Sequence, residues 1–294
     1  MIDFVSFGEI LFDVFPDGKA TLGGAPLNVA GHLSKLGLNG LMLSAVGDDE
    51  LGHRALSEIK ALGLSTEGIK MIPGKETGRA DIVMNGKDAE YTFNEPAAWD
   101  FLECIPLEES PKVICFGSLA QRSEKNQKAL EKLFEASTPD EVFYDVNIRK
   151  GFYSPEIIIR SLSYCTILKM NQEEVPVVLD AAGIEDRDMA AIERLARQFN
   201  LRTVIITEGN AGTSCYTDET WLHEITEDVP VVDTVGAGDS LSAGFIATLL
   251  KTRSSARALR VGAHLADYVV SHRGAIPEYD YDLRRYLIGE RILH

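Results

Sequence analysis

Hydrophobic and polar positions along the chain predict short strands that alternate with helices. Short apolar runs end at glycine or polar residues, which is typical of buried strands, and the segments between them repeat apolar residues at helical spacing. The predicted strands cover residues 2–7, 41–46, 113–116, 142–146, 166–170 and 204–207. The predicted helices cover residues 25–36, 51–62, 124–136, 155–163, 172–179, 188–199, 237–250 and 256–272.

Two segments depart from this alternation and predict β-hairpins. Residues 79–84 and 90–93 alternate as strands do, and the Asn-Gly pair that follows the first run favours a tight turn because both residues tolerate positive φ. Residues 213–216 and 220–223 form the second predicted hairpin.

The remaining alternation implies an α/β fold, a doubly wound and mostly parallel sheet with helices on both faces. We expect one domain over residues 1–294. An insertion that includes about residues 79–100 projects from it as a small β lid, because it interrupts the strand–helix pattern.

Composition and charge argue against several classes of function. The formal net charge is −16 and no long run of Lys and Arg is present, which argues against a nucleic-acid partner. The cysteines (Cys104, Cys115, Cys165 and Cys215) are too scattered for a zinc site or a disulfide framework. Residues 1–7 lack a signal-peptide pattern and no apolar stretch is long enough to cross a bilayer, so we expect a cytoplasmic protein without a membrane partner.

The segment Asp-Thr-Val-Gly-Ala-Gly-Asp at residues 233–239 carries the most chemical information. Gly236 and Gly238 allow a tight turn that directs the N–H groups around Ala237 towards one point at a helix start, which makes an anion hole without Lys or Arg. Asp239 fits beside an anion if it takes a proton from a hydroxyl that attacks a phosphoryl group. On the residues alone, a simple turn capped by Asp239 remains open.

A second segment near the N-terminus, Gly-Gly-Ala-Pro-Leu-Asn-Val-Ala, fits a polyol. Gly23 and Gly24 permit a ligand to approach the backbone closely. Asn28 can both donate and accept hydrogen bonds, and Asp13, just beyond the first strand, could accept from two adjacent hydroxyls. The residues alone leave open a helix-entry turn with proline near the helix start.

Together the two segments resemble the two signatures of the ribokinase-like (PfkB) carbohydrate kinases, in the same order and about two hundred residues apart. The resemblance covers essentially the whole chain and implies a kinase that uses ATP and Mg²⁺ to phosphorylate a small carbohydrate. The residues it implies are Asp239 as catalytic base, Gly236, Ala237 and Gly238 as the anion hole, and Asp13, Gly23, Gly24 and Asn28 around the sugar.

Further matches extend the implied site towards the nucleotide. Asn171 and Glu174 resemble the family's Asn-x-x-Glu motif, in which Glu174 would bind magnesium through water, although the residues alone favour Asn171 as a helix cap. Arg149 ends a fructokinase-like Asp-x-Asn-x-Arg stretch and would clamp phosphate oxygens, or else be a surface residue. The remaining nucleotide-side positions implied are Thr207, Gly209, Gly212 and His264, with residues 273–275 beside the adenine. The resemblance also allows K⁺ on backbone carbonyls around Asp233, Val235 and Gly274.

The expected sugar is inferred from the subfamily that two short sequence stretches resemble. Residues 98–100 and 117–122 resemble fructokinases more than ribokinases or adenosine kinases, so fructose is the expected substrate. Ribose, 2-keto-3-deoxygluconate or a nucleoside are the alternatives, and a non-catalytic sugar-binding regulator on the same fold is a second one. Lids in this family commonly pair with a second subunit, which implies a homodimer through the lid.

Overall fold

The structure, a computed structural model, describes residues 2–85 and 88–293, with side chains outside 83–90. Its strands are β1 (Phe4–Phe7), β2 (Leu11–Val14), β3 (Ala20–Gly23), β4 (Gly40–Gly47), β5 (Ile69–Ile72), β6 (Gly78–Asn85), β7 (Asp88–Phe93), β8 (Val113–Gly117), β9 (Glu141–Asp145), β10 (Ile167–Asn171), β11 (Thr203–Thr207), β12 (Thr213–Thr217) and β13 (Thr220–Glu224). Its α-helices are α1 (Ala25–Lys35), α2 (Glu50–Ala61), α3 (Glu124–Glu135), α4 (Pro155–Tyr164), α5 (Glu174–Ala181), α6 (Met189–Phe199), α7 (Ala237–Thr252), α8 (Ser255–Val270) and α9 (Tyr281–Gly289).

The main sheet confirms the predicted doubly wound α/β architecture. Across the described residues it has nine strands in the order β13-β12-β11-β10-β9-β8-β1-β4-β5. The strands from β11 to β5 in this order pair in parallel, and the predicted hairpin β12–β13 adds two antiparallel strands at one edge. Parallel pairing follows from the helical crossovers, because antiparallel neighbours need only a short turn.

Helices cover both faces of this sheet and produce two hydrophobic cores. One core takes side chains from α1, α2, α7, α8 and α9, and the other from α3, α4, α5 and α6. Strand β1 serves both cores, since Phe4 lies in the first and Val5 and Phe7 in the second, as alternation along a strand requires. Among the helices that the structure describes, none is long and apolar enough to cross a bilayer.

The order of the strands fixes where a ligand can enter. Strand β1 lies between β4 and β8, so the chain winds in opposite directions on its two sides. In open α/β sheets such a reversal leaves a crevice at the carboxyl ends of the strands, where ligands bind. Asp145, Asn171 and Thr207 end three successive strands, β9, β10 and β11, at this same edge of the sheet.

A second, smaller sheet stands beside this edge. It has the strand order β3-β2-β6-β7, and we call it the lid sheet. The predicted hairpin forms its β6 and β7, which pair antiparallel from Ala80↔Phe93 to Asn85↔Asp88; Gly86 of the predicted turn lies outside the described residues. The other half, β2 and β3, comes from the segment that joins β1 to α1 and was not predicted.

Candidate active site

The two sequence segments meet through a hydrogen bond between Asn28 and Asp239. Asn28 lies on the first turn of α1 and Asp239 on the first turn of α7. The Asn28 amide Nδ2 donates to Asp239 Oδ2 at 2.8 Å, across 211 residues of sequence. Both helices start beside the crevice. The fold therefore brings an amide side chain, which can both donate and accept hydrogen bonds, and a carboxylate into one site.

Helix α7 begins in a conformation that glycine alone tolerates. Gly236, its N-cap, has φ = 81°, and a Cβ atom at this position would lie 2.6 Å from the Cα of Ala275. The N–H groups of Gly238 and Asp239 lie in the first helical turn, where helix geometry supplies no acceptor. Together with the helix dipole, these free donors are the features that the predicted anion hole requires.

Asp239 is held in an environment that makes it basic. Burial, and then the charge of Asp145, raise the pKa of Asp239 to about 6, while the Asn28 hydrogen bond and the charges of Lys169 and Arg149 oppose the rise. A carboxylate whose pKa lies nearer to neutrality accepts a proton more readily than an ordinary aspartate. The structure therefore places a carboxylate with a raised pKa at the start of α7, where it could act as a general base.

At the start of α1, on the side of the cleft where the sugar is expected, the backbone of Gly24 packs closely against the backbone of Glu9. Gly24 has φ = 114°, and a Cβ atom there would lie 2.5 Å from the carbonyl oxygen of Glu9. Asp13, on β2 of the lid sheet, lies beside Gly23. Burial raises the pKa of Asp13, and the positive charge of Arg149 opposes this rise only in part. An arginine and a carboxylate thus face each other across the space where the sequence analysis expects the sugar.

Glu9 belongs to this region, although the sequence analysis did not select it. The residue follows β1 directly and is 3% exposed. Burial raises its pKa to about 7, so that the carboxyl is readily protonated near neutral pH. An isolated Glu after a strand gives no sequence signal of burial, because glutamate is usually exposed.

Asn171 and Glu174 organise the turn between β10 and α5. The Asn171 Oδ1 atom accepts hydrogen bonds from the N–H groups of Glu173 and Glu174, which is the helix-capping arrangement. The buried Glu174 carboxylate accepts from the N–H groups of Asn171 and Ile148, at 2.8 and 2.7 Å. Each of its oxygens keeps a lone pair for a water molecule, so this hard-oxygen set fits Mg²⁺ bound through water.

A buried ion pair lies beneath the anion hole and was missed by the sequence analysis as a functional feature. Lys169 Nζ lies 2.6 Å from Asp145 Oδ2, and their side chains are 8% and 12% exposed. Lys169 resembles any other strand residue in sequence, and Asp145 appeared only as the first residue of a motif chosen for Arg149. The register between two strands created the pair, and a single sequence does not reveal register.

One cleft between the two sheets collects most of the predicted site residues. Those that line it are Asp13, Gly23, Gly24, Asn28, Arg149, Asn171, Glu174, Thr207, Gly236, Gly238 and Asp239. The cleft continues past the anion hole to Asp233, whose carboxylate accepts from the N–H groups of Val235 and Gly274. These two hydrogen bonds hold the loop at Asp233 and Val235 against the turn at Gly274, whose backbone carbonyls are predicted to bind K⁺.

Three predicted nucleotide positions lie elsewhere. Gly209 and Gly212 shape the turn between β11 and β12, where a Cβ atom at Gly212 would lie 2.2 Å from a carbonyl oxygen. His264, on α8, hydrogen-bonds to Glu227 at 2.8 Å and contacts the ring of Tyr286. Within the described residues, the lining of the cleft does not include these three.

The two fructokinase-like stretches pack against each other. Arg122 and Asp100 form a buried ion pair through two hydrogen bonds of 2.7 and 2.8 Å. The Arg122 guanidinium also lies 3.7 Å from the ring centroid of the fully buried Trp99. Of the described residues in the two stretches, Leu119 alone lines the cleft. The two stretches therefore form one buried structural cluster, and Gly117, Ser118 and Leu119 also line a separate cavity beside Glu9 and Asp145.

Comparisons with known proteins show the family and the fold of this chain. The model of the pfkB family carbohydrate kinases matches residues 2–280. A fructokinase from Solanum tuberosum is 26% identical over 93% of this chain and 91% of its own length. A fructokinase structure from Vibrio cholerae O395 with fructose, ADP and a calcium ion has a TM-score of 0.82 at 18% identity, covering 94% of this chain and 95% of that one. A sugar kinase structure from Pyrococcus horikoshii in complex with ATP has a TM-score of 0.82 at 23% identity, covering 99% and 100%.

Proposed function

Since this chain belongs to the pfkB family of carbohydrate kinases, we propose that it transfers the γ-phosphate of ATP to a hydroxyl of fructose, with Asp239 as the general base. The observation that carries the proposal is the Asn28–Asp239 hydrogen bond, which sets the proton acceptor beside a polyol-binding side chain at the mouth of an anion hole. Membership of this family supports ATP-dependent phosphorylation of a sugar. The choice of fructose as that sugar is a more specific proposal.

The reaction follows from the positions of these groups. The sugar hydroxyl gives its proton to the Asp239 carboxylate as its oxygen forms a bond to the γ-phosphorus. The bond from that phosphorus to the bridging oxygen breaks, and the electron pair leaves on ADP. The N–H groups at the start of α7 donate to the phosphoryl oxygens. Glu174 would hold Mg²⁺ through water, and the ion would neutralise negative charge on the phosphates of ATP.

The cleft offers separate regions for the two substrates. The sugar lies between Asp13 of the lid sheet and Asn28 of α1, and Arg149 clamps phosphate oxygens from the same side. The nucleotide lies along residues 232–235 and 273–275, which continue the cleft on the other side of the anion hole. With this division, the attacking hydroxyl and the γ-phosphate would meet in front of the anion hole, with Asp239 within reach of the hydroxyl proton.

Fructose is proposed because the curated relative is named a fructokinase and the Vibrio cholerae structure has fructose bound. An ADP-release assay with fructose, ribose, 2-keto-3-deoxygluconate and a nucleoside tests it. We expect the highest kcat/KM with fructose. A clearly higher kcat/KM for ribose or a nucleoside would overturn the assignment of fructose but would still agree with a kinase. If ATP is not consumed with any of these compounds, the result would favour a sugar-binding regulator.

A further inference from the structure

The cleft contains a buried cation that the proposed reaction has not yet used. The described part of its lining has four cationic side chains, Lys19, Arg149, Lys169 and Arg273. Three of these residues are exposed, whereas the Lys169 side chain is 8% exposed. Burying an ammonium group costs free energy unless it is paired, so its location needs a reason.

Neighbouring strands hold the Lys169 ammonium in place. Lys169 on β10 pairs with Asp145 on β9 in a parallel register, so the two side chains extend from the same face of the sheet. Their hydrogen bond of 2.6 Å uses one of the three N–H donors of the ammonium. The other donors can serve a second anion.

The ammonium lies directly against the anion hole. A Cβ atom at Gly238 would be 3.1 Å from Lys169 Nζ, so the ammonium contacts the first turn of α7. The helix dipole repels a cation beside the helix N-terminus, so a phosphoryl group between them would add to the stabilisation that the nearby carboxylates supply. Burial works against the charge of Lys169, but the carboxylates of Asp145, Asp239 and Glu174 outweigh it and raise the pKa.

We infer that Lys169 is the cation that contacts the transferring phosphoryl group from the floor of the anion hole, and that Asp145 positions it there. The inference rests on the proposed kinase reaction. During transfer, charge spreads over the three equatorial oxygens of the phosphoryl group, and Lys169 donates a hydrogen bond to one of them while keeping its proton. Removing one preorganised donor from developing charge lowers kcat by about 10²–10³-fold.

The test replaces the charged pair with a neutral one. Lys169→Gln combined with Asp145→Asn keeps a hydrogen bond and avoids leaving one buried charge unpaired, which would destabilise the fold by itself. The matched control is Arg122→Gln with Asp100→Asn, since this pair is also buried but does not line the cleft. Both variants are measured for melting temperature and for kcat in the ADP-release assay.

We expect kcat of the Lys169/Asp145 variant to fall at least about 100-fold, and that of the Arg122/Asp100 variant to stay within about threefold, because it leaves the cleft intact. A second measurement separates contact from stability. Affinity for an uncleavable β,γ-methylene analogue of ATP should fall about tenfold relative to affinity for ADP, the effect of losing one ion-assisted contact to the γ-phosphate.

The outcomes separate this inference from the proposed function. An inactive wild type would overturn the proposed function. An active wild type together with a folded Lys169/Asp145 variant that keeps more than a third of kcat would overturn the role of Lys169 alone. If the amide pair does not fold, Lys169→Met with Asp145→Leu carries the same test, because apolar side chains of similar volume often replace a buried ion pair without loss of stability.

Discussion

Asn28 donates a hydrogen bond of 2.8 Å to the carboxylate of Asp239, and this contact joins the sugar side of the cleft to the proposed base. The bond lowers the pKa of Asp239 against the larger effect of burial, which raises it. The proposed function therefore gives Asn28 two roles: it would present a polar group to the sugar, and its hydrogen bond affects how readily Asp239 becomes ionised.

Asn28→Ala should affect both roles. We expect KM for the sugar to rise about tenfold, the effect of losing one hydrogen bond to a substrate hydroxyl. The acidic limb of kcat/KM should move to higher pH, because the base loses a donor that favours its charged form. Steady-state kinetics between pH 5 and 9 measure both effects. An unchanged KM and an unchanged limb would remove Asn28 from the site.

The pH dependence of the wild type follows from Asp239. Its pKa of about 6 means that the ionised form is lost as the pH falls through that value. We expect kcat/KM to be flat above this pH and to fall about tenfold per unit below it, since the protonated carboxyl accepts no proton. Asp239→Asn provides the control, because a limb due to protonation of ATP would persist in that variant.

The Arg122–Asp100 pair should matter for stability and not for substrate choice. Arg122→Met leaves the buried Asp100 carboxylate unpaired and should lower the free energy of unfolding by about 3–5 kcal/mol. The ranking of fructose against ribose should stay the same, because the pair lies outside the cleft lining of the described residues. Denaturant unfolding and the substrate panel are the measurements, and an altered ranking at unchanged stability would contradict this assignment.

The lid sheet should form the contact of a homodimer. Tyr91, on the edge strand β7, is 46% exposed, and Phe15, which follows β2, is 39% exposed. We predict a mass of twice 32.3 kDa by light scattering at micromolar concentration. Tyr91→Arg should give the monomer, because a charge in an apolar interface opposes association. Tyr281→Arg is the control, since Tyr281 is 77% exposed but lies on α9 outside the lid sheet.

The strands of the main sheet other than β5 could be predicted from the sequence because most of them are buried and the helices between them are amphipathic. Strand β5 was not predicted, since only one of its four residues is buried. Strands such as β8 and β11 are almost continuously apolar, which gives a clear signal. The strands β2 and β3 have four residues each, and most of these are only partly buried, so the strands have no distinct pattern. Their pairing in the lid sheet depends on tertiary context.

The location of the candidate site could be predicted where glycines and a carboxylate occur together, as at Gly236, Gly238 and Asp239. Backbone conformations with positive φ restrict the sequence to glycine and therefore leave a motif. The Lys169–Asp145 pair and the buried Glu9 leave no motif in the sequence, because their contacts depend on burial and on strand register. The likeness to fructokinases at Trp99 and Arg122 lies in a buried structural cluster, so these two residues do not by themselves identify the sugar.

The replacement Asp239→Asn tests the role of Asp239 most directly. It keeps the size and shape of the side chain, allows helix capping, and removes the negative charge and most of the basicity. The melting temperature at pH 8 should be equal to or above that of the wild type. Burial raises the pKa of Asp239 above its ordinary 3.8, so the stability linked to its protonation is lost as the pH rises through about 6, and Asn avoids the loss.

The decisive measurement is kcat for ADP release from ATP with fructose, compared between the wild type and the folded Asp239→Asn variant. We predict a fall of about 10²–10⁴-fold, the usual contribution of a positioned general base. The affinity for ATP should stay the same or improve, since a carboxylate near the γ-phosphate repels it. A stable variant that keeps more than roughly a tenth of wild-type kcat, well above the range for a lost base, would contradict the assignment of Asp239 and the mechanism built on it.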